Sequence, residues 1–310
     1  MSFSFAAISW NQPKICPSAQ WDQNSASFAS SSVVGSLPSS IFVTRNNTVV
    51  LARRDTGTIV GWQNGSSNAR FTIPSTVSSG RSIFVTNDDE ILVDNQCPDG
   101  QVERWTMNGT QLHPSIIMGS TCYGLFVDIN DDVYCSHRDK HQITRRPLNT
   151  HDQTFTVVAG TGCAGSASHM LSSPRGIFVT INRDLYVADS GNDRIQYFRH
   201  GETNGTTVVG VGAPGTITLN NPVAVILDAD ENMYISDEGN GMIVKSGPYG
   251  SQCIIGCRLL GLFALSSPRQ LSFDPFGNLY LADFGLDKAM KFMIQNNNCG
   301  KREPLLLIWL

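Results

Sequence analysis

The stretch PRGIFVTINRDLYVADSGNDRIQYF, residues 174–198, constrains the fold more than any other, because its pattern recurs five more times along the chain. Ile177, Phe178 and Val179 form a β-branched and aromatic run, INRD supplies a turn, Leu185 to Ala188 form a second run ending at Asp189, and Ile195 to Phe198 form a third. Each run has the length of a strand and the connections are too short for a helical crossover. The three predicted strands are therefore antiparallel neighbours. The place of Val187 is taken in the other copies by Leu51, Val93, Cys135, Ile235 and Leu281, at successive intervals of 42, 42, 52, 48 and 46 residues. All-β repeats of this length, with a fourth strand between copies (TFTVVAG at 154–160, GTTVVG at 205–210), predict propeller blades, and no helical periodicity competes.

A propeller is one domain built of local layers, so 310 residues suit six blades without a linker. Only 15% of residues are charged, and a net charge of -4 points by itself to neither a nucleic-acid nor a membrane partner. SASFAS, at 25–30, aligns with a fourth strand that no first three precede, while the last copy (PRQLSF, NLYLAD, KAMKFMI) has three strands and no fourth. The expected fold is an all-β, six-bladed β-propeller whose last blade is closed by the N-terminal strand, hiding two sheet edges. This divides the chain into an N-terminal arm (1–24), the propeller (25–299) and a C-terminal tail (300–310). MSFSFAAISW lacks the basic start and cleavage pattern of a signal peptide, and the six apolar residues of LLLIWL fall far short of the roughly 20 that span a bilayer.

Eight cysteines contain no CxxC, which argues against a zinc ribbon. Closure of the ring places Cys16 beside the borrowed strand and Cys299 beside its partner strand, so a Cys16–Cys299 disulfide is expected, worth roughly 5 kcal/mol on loop entropy. Cys97, Cys122, Cys135 and Cys163 fall near the opposite rim on successive blades, with three pairings open. Sequons occur at Asn46, Asn64, Asn108 and Asn204, the first in a first-to-second-strand turn and the others between third and fourth strands, hence all on one face of a meander. Paired cysteines and one-sided glycosylation sites predict a secreted or extracellular protein.

The copies LSSPRGIFVTINRDLYVADSGNDRIQYF and LSSPRQLSFDPFGNLYLADFGLDKAMKF resemble the NHL repeat, and LNNPVAVILDADENMYISDEGNGMIVKS is close to it, with more degenerate copies before them; together they cover residues 38–294. The resemblance implies a binding platform or scaffold rather than a particular activity.

Candidate sites follow from the alignment. Asp189, Asp237 and Asp283 close the second strand, where a short carboxylate accepts backbone N–H bonds, and Arg194 is near enough to pair with Asp189. DADEN (228–232) and DINDD (128–132) lack the calcium-loop spacing and read as solvated turns. His137, His141 and His169 read as exposed loop histidines; the resemblance to zinc-binding amidating lyases of the NHL type stops here, because the other blades offer no matching histidine. At the start of each innermost strand the copies align Ser39, Arg81, Tyr123, Arg175, Val223 and Arg269, so three arginines and a tyrosine ring one mouth of the channel, with Arg53, Arg54, Arg138 and Lys140 in nearby loops. Guanidinium groups around a concave mouth suit a carboxylate, sulfate or phosphate. No nucleophile triad, P-loop or dinucleotide fingerprint accompanies them, and no catalytic residue, metal ligand or cofactor is assigned. The expected function is a monomeric, non-catalytic platform holding a protein, peptide or glycan by an anionic group at Arg81, Tyr123, Arg175 and Arg269. The alternatives are a metal-dependent lyase or lactonase-like propeller, and an intracellular platform for RNA or ubiquitin-ligase partners.

Overall fold

The computed structural model describes residues 8–24, 26–27, 37–63, 66, 68–74, 82–150, 154–257 and 265–297. Two short strands come first, β1 (Gln20–Trp21) and β2 (Ala26–Ser27). Blade one is β3 (Pro38–Val43), β4 (Thr48–Arg53), β5 (Thr58–Gln63) and β6 (Phe71–Pro74). Blade two is β7 (Ile83–Val85), β8 (Glu90–Asp94), β9 (Gln101–Thr106) and β10 (Gln111–Ile117). Blade three is β11 (Gly124–Val127), β12 (Asp132–His137), β13 (Gln142–Pro147) and β14 (Thr156–Gly160). Blade four is β15 (Pro174–Val179), β16 (Leu185–Asp189), β17 (Arg194–Phe198) and β18 (Thr206–Gly210). Blade five is β19 (Pro222–Leu227), β20 (Met233–Asp237), β21 (Met242–Gly247) and β22 (Gly250–Ile255). Blade six holds β23 (Pro268–Phe273), β24 (Leu279–Asp283) and β25 (Lys288–Phe292), followed by β26 (Ile294–Gln295). The protein is an all-β, six-bladed propeller of antiparallel four-stranded sheets.

Closure follows the expected route. The sixth sheet has the order β2-β25-β24-β23, with Ala26 opposite Lys291 and Ser27 opposite Met290. β1 adds a second clasp against β26. Residues 25 and 28–30 of SASFAS lie outside the described residues.

The second-strand residues that align the copies, Leu51, Val93, Cys135, Val187, Ile235 and Leu281, are all fully buried. They form the floor of packing between blades, where each β-branched or Leu side chain removed from water contributes roughly 1.5–3 kcal/mol. Two further repeat features were not anticipated. The residue after each first strand (Thr44, Thr86, Asp128, Thr180, Asp228, Asp274) accepts a backbone N–H from the far side of the turn it begins. The residue before each third strand (Gly57, Gly100, His141, Asp193, Gly241, Asp287) has φ between 49° and 70°. Such a left-handed residue is what lets a short loop reverse the chain between twisted strands.

Several sequence readings are corrected here. DINDD and DADEN are not simply solvated: Asp128 and Asp228 are fully buried, each capping its turn through two backbone N–H groups and accepting a tyrosine hydroxyl, from Tyr134 and Tyr234 respectively. His137 is not exposed. It ends β12 at 1% exposure, with Nε2 2.7 Å from Thr144 Oγ1, and burial pulls its pKa down to about 4. His141 is half-buried and accepts the Ser173 N–H, while His169 is exposed as expected. Cys122 and Cys135 form a disulfide inside blade three, and CIIGC closes on itself as Cys253–Cys257. Cys97 and Cys163 are free thiols, so the rim is not stapled through all four cysteines. Cys16 is disulfide-bonded; Cys299 lies outside the described residues.

The second-strand aspartates are structural, as expected. Asp189 accepts from Ser172 N (2.6 Å), Asn192 Nδ2 (2.7 Å) and Arg194 Nε (2.8 Å), and Asp237 and Asp283 anchor the loops before their own blades in the same way. Asp94 of blade two instead reaches forward, accepting the Cys122 N–H in the connection that leads into blade three.

Candidate binding site

The first strands enter the ring through a proline in four blades, at Pro38, Pro174, Pro222 and Pro268, and each of these strands carries a register irregularity immediately afterwards. A bulge of this kind re-aims the next side chains. Ser39, Tyr123, Arg175, Val223 and Arg269 accordingly line a single cavity at the channel mouth, together with Arg54 and Phe284. Arg81, the third arginine of the alignment, lies outside the described residues. Blades approach closely at this level: a Cβ on Gly124 would stand 2.4 Å from the Arg175 carbonyl oxygen, and one on Gly176 2.6 Å from that of Val223.

The position after each second strand reads Arg54, Asn95, Arg138, Ser190, Glu238 and Phe284 in blade order, and Arg54 and Phe284 of these line the cavity. Glu238 bridges the two described arginines of the first set, with Oε2 2.8 Å from Arg175 Nη1 and Oε1 2.9 Å from Arg269 Nη2. Asn221 Nδ2 (2.9 Å) and the Ser267 hydroxyl complete its shell. The guanidinium of Arg269 lies 5.0 Å, and that of Arg54 5.4 Å, from the Phe284 ring centroid. Arg138 stacks 5.5 Å over Tyr123 and reaches its hydroxyl at 3.5 Å, a long contact. Burial pulls the Arg175 guanidinium below its usual pKa, opposed by the Glu238 charge; the Tyr123 hydrogen bond pushes Arg138 up. Arg53 pairs with Asp55 (3.2 Å) and Lys140 binds the Gly119 carbonyl (2.8 Å), so both are occupied beside the mouth.

Below the mouth the channel is aromatic. Phe42, Phe84, Phe126 and Phe178 project from successive first strands, with neighbouring ring centroids 4.9, 5.0 and 5.1 Å apart. The floor is the N-terminal arm. Trp10 packs 4.8 Å from Phe126 and 6.1 Å from Phe178, and Asn11 Nδ2 donates to the carbonyls of Val43, Thr44 and Phe273 at the far ends of the first strands. The channel is therefore a cup of about 90 Å³, floored by Trp10 and Asn11 and rimmed by arginine.

The alignment found the first ring of residues but missed Glu238 and Trp10. Glu238 was legible as a departure, since SGND and FGLD carry Ser190 and Phe284 where EGNG carries an acid. Trp10 stands outside every repeat and carried no such signal. Among the described residues no cluster of three or more His, Cys, Asp or Glu side chains forms a metal-binding group. Asn46, Asn108 and Asn204 are exposed in connections on the face opposite the arginines, and Asn64 lies outside the described residues. No helix among the described residues is long and apolar enough to cross a membrane.

No protein-family model matches the sequence, and no curated protein matches it. Among solved structures, it is similar to an auxiliary nutrient binding protein from Bacteroides thetaiotaomicron (TM-score 0.66, 15% identity, covering 93% of this chain and 76% of that one). A protein of unknown function from the same organism gives a TM-score of 0.65 at 17% identity, covering 94% and 74%. A catalytically inactive virginiamycin B lyase from Staphylococcus aureus, solved with quinupristin, gives 0.58 at 14% identity, covering 89% and 98%. These are likenesses of fold.

Proposed function

We propose that this protein is an NHL-type propeller acting outside the cell as a binding module, and that it holds a protein, peptide or glycan by an anionic group at the mouth lined by Arg175, Arg269 and Tyr123, with Arg81 assigned to the same set by the repeat alignment alone. The observation that carries this reading is the convergence of Arg54, Arg175 and Arg269 on one cup, where Glu238 already accepts from two of them. Guanidinium forks in a partly desolvated mouth bind carboxylates and oxyanions more strongly than they do on an open surface. The nutrient-binding neighbour supports a binding role by analogy. Two disulfides among the described residues and exposed sequons at Asn46, Asn108 and Asn204 support an extracellular setting, with glycans on the face away from the mouth.

A peptide and glycan array probed with the intact chain and with a triple Arg81→Ala, Arg175→Ala, Arg269→Ala variant tests the site. Acidic ligands bound by the first and lost by the second are expected; identical profiles would reject it. Elemental analysis of the purified chain tests the competing lyase reading, which the virginiamycin B lyase neighbour favours, since stoichiometric metal would replace the binding-module reading.

A further inference from the structure

The cup beneath the arginines is shaped for a narrower ligand class than "anion", and this inference rests on the reading of the mouth as an anion site. Glu238 has no acceptor capacity to spare. Its two oxygens already accept from Arg175, Asn221, Arg269 and Ser267, which fills the roughly four lone-pair sites of a carboxylate. A ligand ammonium would have to displace one of these donors. Arg175, by contrast, has donors left: of about five guanidinium N–H groups one is given to Glu238, and its buried Nε has no hydrogen-bond partner. The mouth therefore offers donors and takes acceptors, which excludes amines and zwitterions held through their ammonium group.

The cup below excludes the anionic end. Its walls are Phe42, Phe84, Phe126 and Phe178 and its floor is Trp10. The polar side chains at that depth carry no charge and each already holds a protein partner: Asn11 donates to three carbonyls, Ser272 Oγ accepts the Val43 N–H, and Gln270 Oε1 accepts the Ser40 hydroxyl. A charge carried to this depth would give up its hydration for neutral side chains alone, whereas at the rim it meets guanidinium groups. A ring loses nothing and gains tilted and edge-to-face partners of the kind the wall rings already make with one another. The volume of about 90 Å³ corresponds to roughly six to nine water positions, the space of one ring and a short tether.

We propose that the cup binds a small aromatic carboxylate, free or as the end of a larger ligand, ring first against Trp10 and Phe126, with its carboxylate at Arg175. Calorimetric titration of the intact chain with phenylacetate, acetate, benzylamine and benzyl alcohol tests this. Phenylacetate is expected to bind one to one, at least tenfold more tightly than any of the other three. The double variant Arg175→Gln, Glu238→Gln, which removes one charge of each sign and so keeps the net charge, is expected to lose at least tenfold of that affinity. Acetate or benzylamine binding as well as phenylacetate overturns the proposal. Sulfate or an acidic peptide binding in an Arg175-dependent way, with phenylacetate no better than acetate, overturns the ring-first ligand while leaving the anion site standing. Absence of binding by every anion removes both.

Discussion

Replacing Asp189 by Ala removes the carboxylate that neutralises a buried arginine of blade four. Asp189 is fully buried and Arg194 is 6% exposed, with Nε 2.8 Å from Oδ2. The same carboxylate holds the loop before blade four through Ser172 N and the following turn through Asn192. Arg194 meanwhile donates to the carbonyls of Ser166, Ala167 and Met170, so the loop preceding blade four hangs on this pair. Breaking a buried pair by deleting one partner costs about 3–5 kcal/mol, chiefly because the other charge is left uncompensated. With an unfolding entropy of about 2.1 cal/mol/K per residue over 310 residues, that loss lowers Tm by roughly 5–8 °C. Calorimetry on the wild type, Asp189→Ala, Arg194→Met and the double variant measures it. The double variant is expected to recover part of the single loss, with a coupling energy of at least about 1 kcal/mol. A Tm drop under about 2 °C, or strictly additive losses, would refute the claim that the repeat aspartate works by compensating a buried charge.

Two other perturbations read different parts of the molecule. Burial holds the His137 pKa at about 4, below its unfolded value of about 6.5, so the unfolded chain binds the extra proton first as pH falls. Stability from this group is complete above pH 6.5 and falls away as pH drops toward 4, by an amount on the order of 3 kcal/mol. Urea midpoints at pH 7 and pH 4 are therefore expected to separate more for the wild type than for His137→Gln, and parallel pH responses would contradict the buried neutral imidazole. Alkylation of fresh, unreduced protein is expected to mark Cys97 and Cys163, while non-reduced peptide maps carry Cys122–Cys135 and Cys253–Cys257; label on Cys122 or Cys253 would reject those pairings.

The architecture was legible because six copies of one pattern vote together. A single apolar run such as Ile177 to Val179 is ambiguous, but the same run at Ile41, Ile83, Leu125, Val225 and Leu271, each followed by the second strand it pairs with, admits only a meander repeated around a ring. The open end of the last copy then pointed to the borrowed strand, since a sheet edge must be paired or covered. Side chains that obey the repeat were read correctly for the same reason, as with Asp189 and Arg194. Misreadings came where composition was allowed to speak for environment. His137 occupies the slot that holds Asp189 in blade four, and that slot is buried in every blade but the first, where Arg53 fills it. The aspartates of DINDD and DADEN look like solvent-facing charge, yet the first of each stands where Thr44 and Thr180 stand in other blades and does the same capping.

The channel cup illustrates the opposite limit. A propeller channel lined by repeats is open at both ends, and the repeat alone determines only which residues ring each mouth. What turns the channel into a cup is Trp10, delivered by an arm that crosses the first-turn face: Asn11 binds the ends of two first strands, the Pro13 carbonyl accepts the Ala229 N–H, and Ile15 and Trp21 pack into blade six before β2 pairs with β25. Arm and ring closure are consecutive pieces of one chain, so each restrains the other. The borrowed strand fixes where the arm starts its crossing, and Trp10, wedged among three phenylalanines, fixes where it ends. The floor of the cup is thereby tied to the closure of blade six, because fraying β2 from β25 loosens the restraint that holds Trp10 in place.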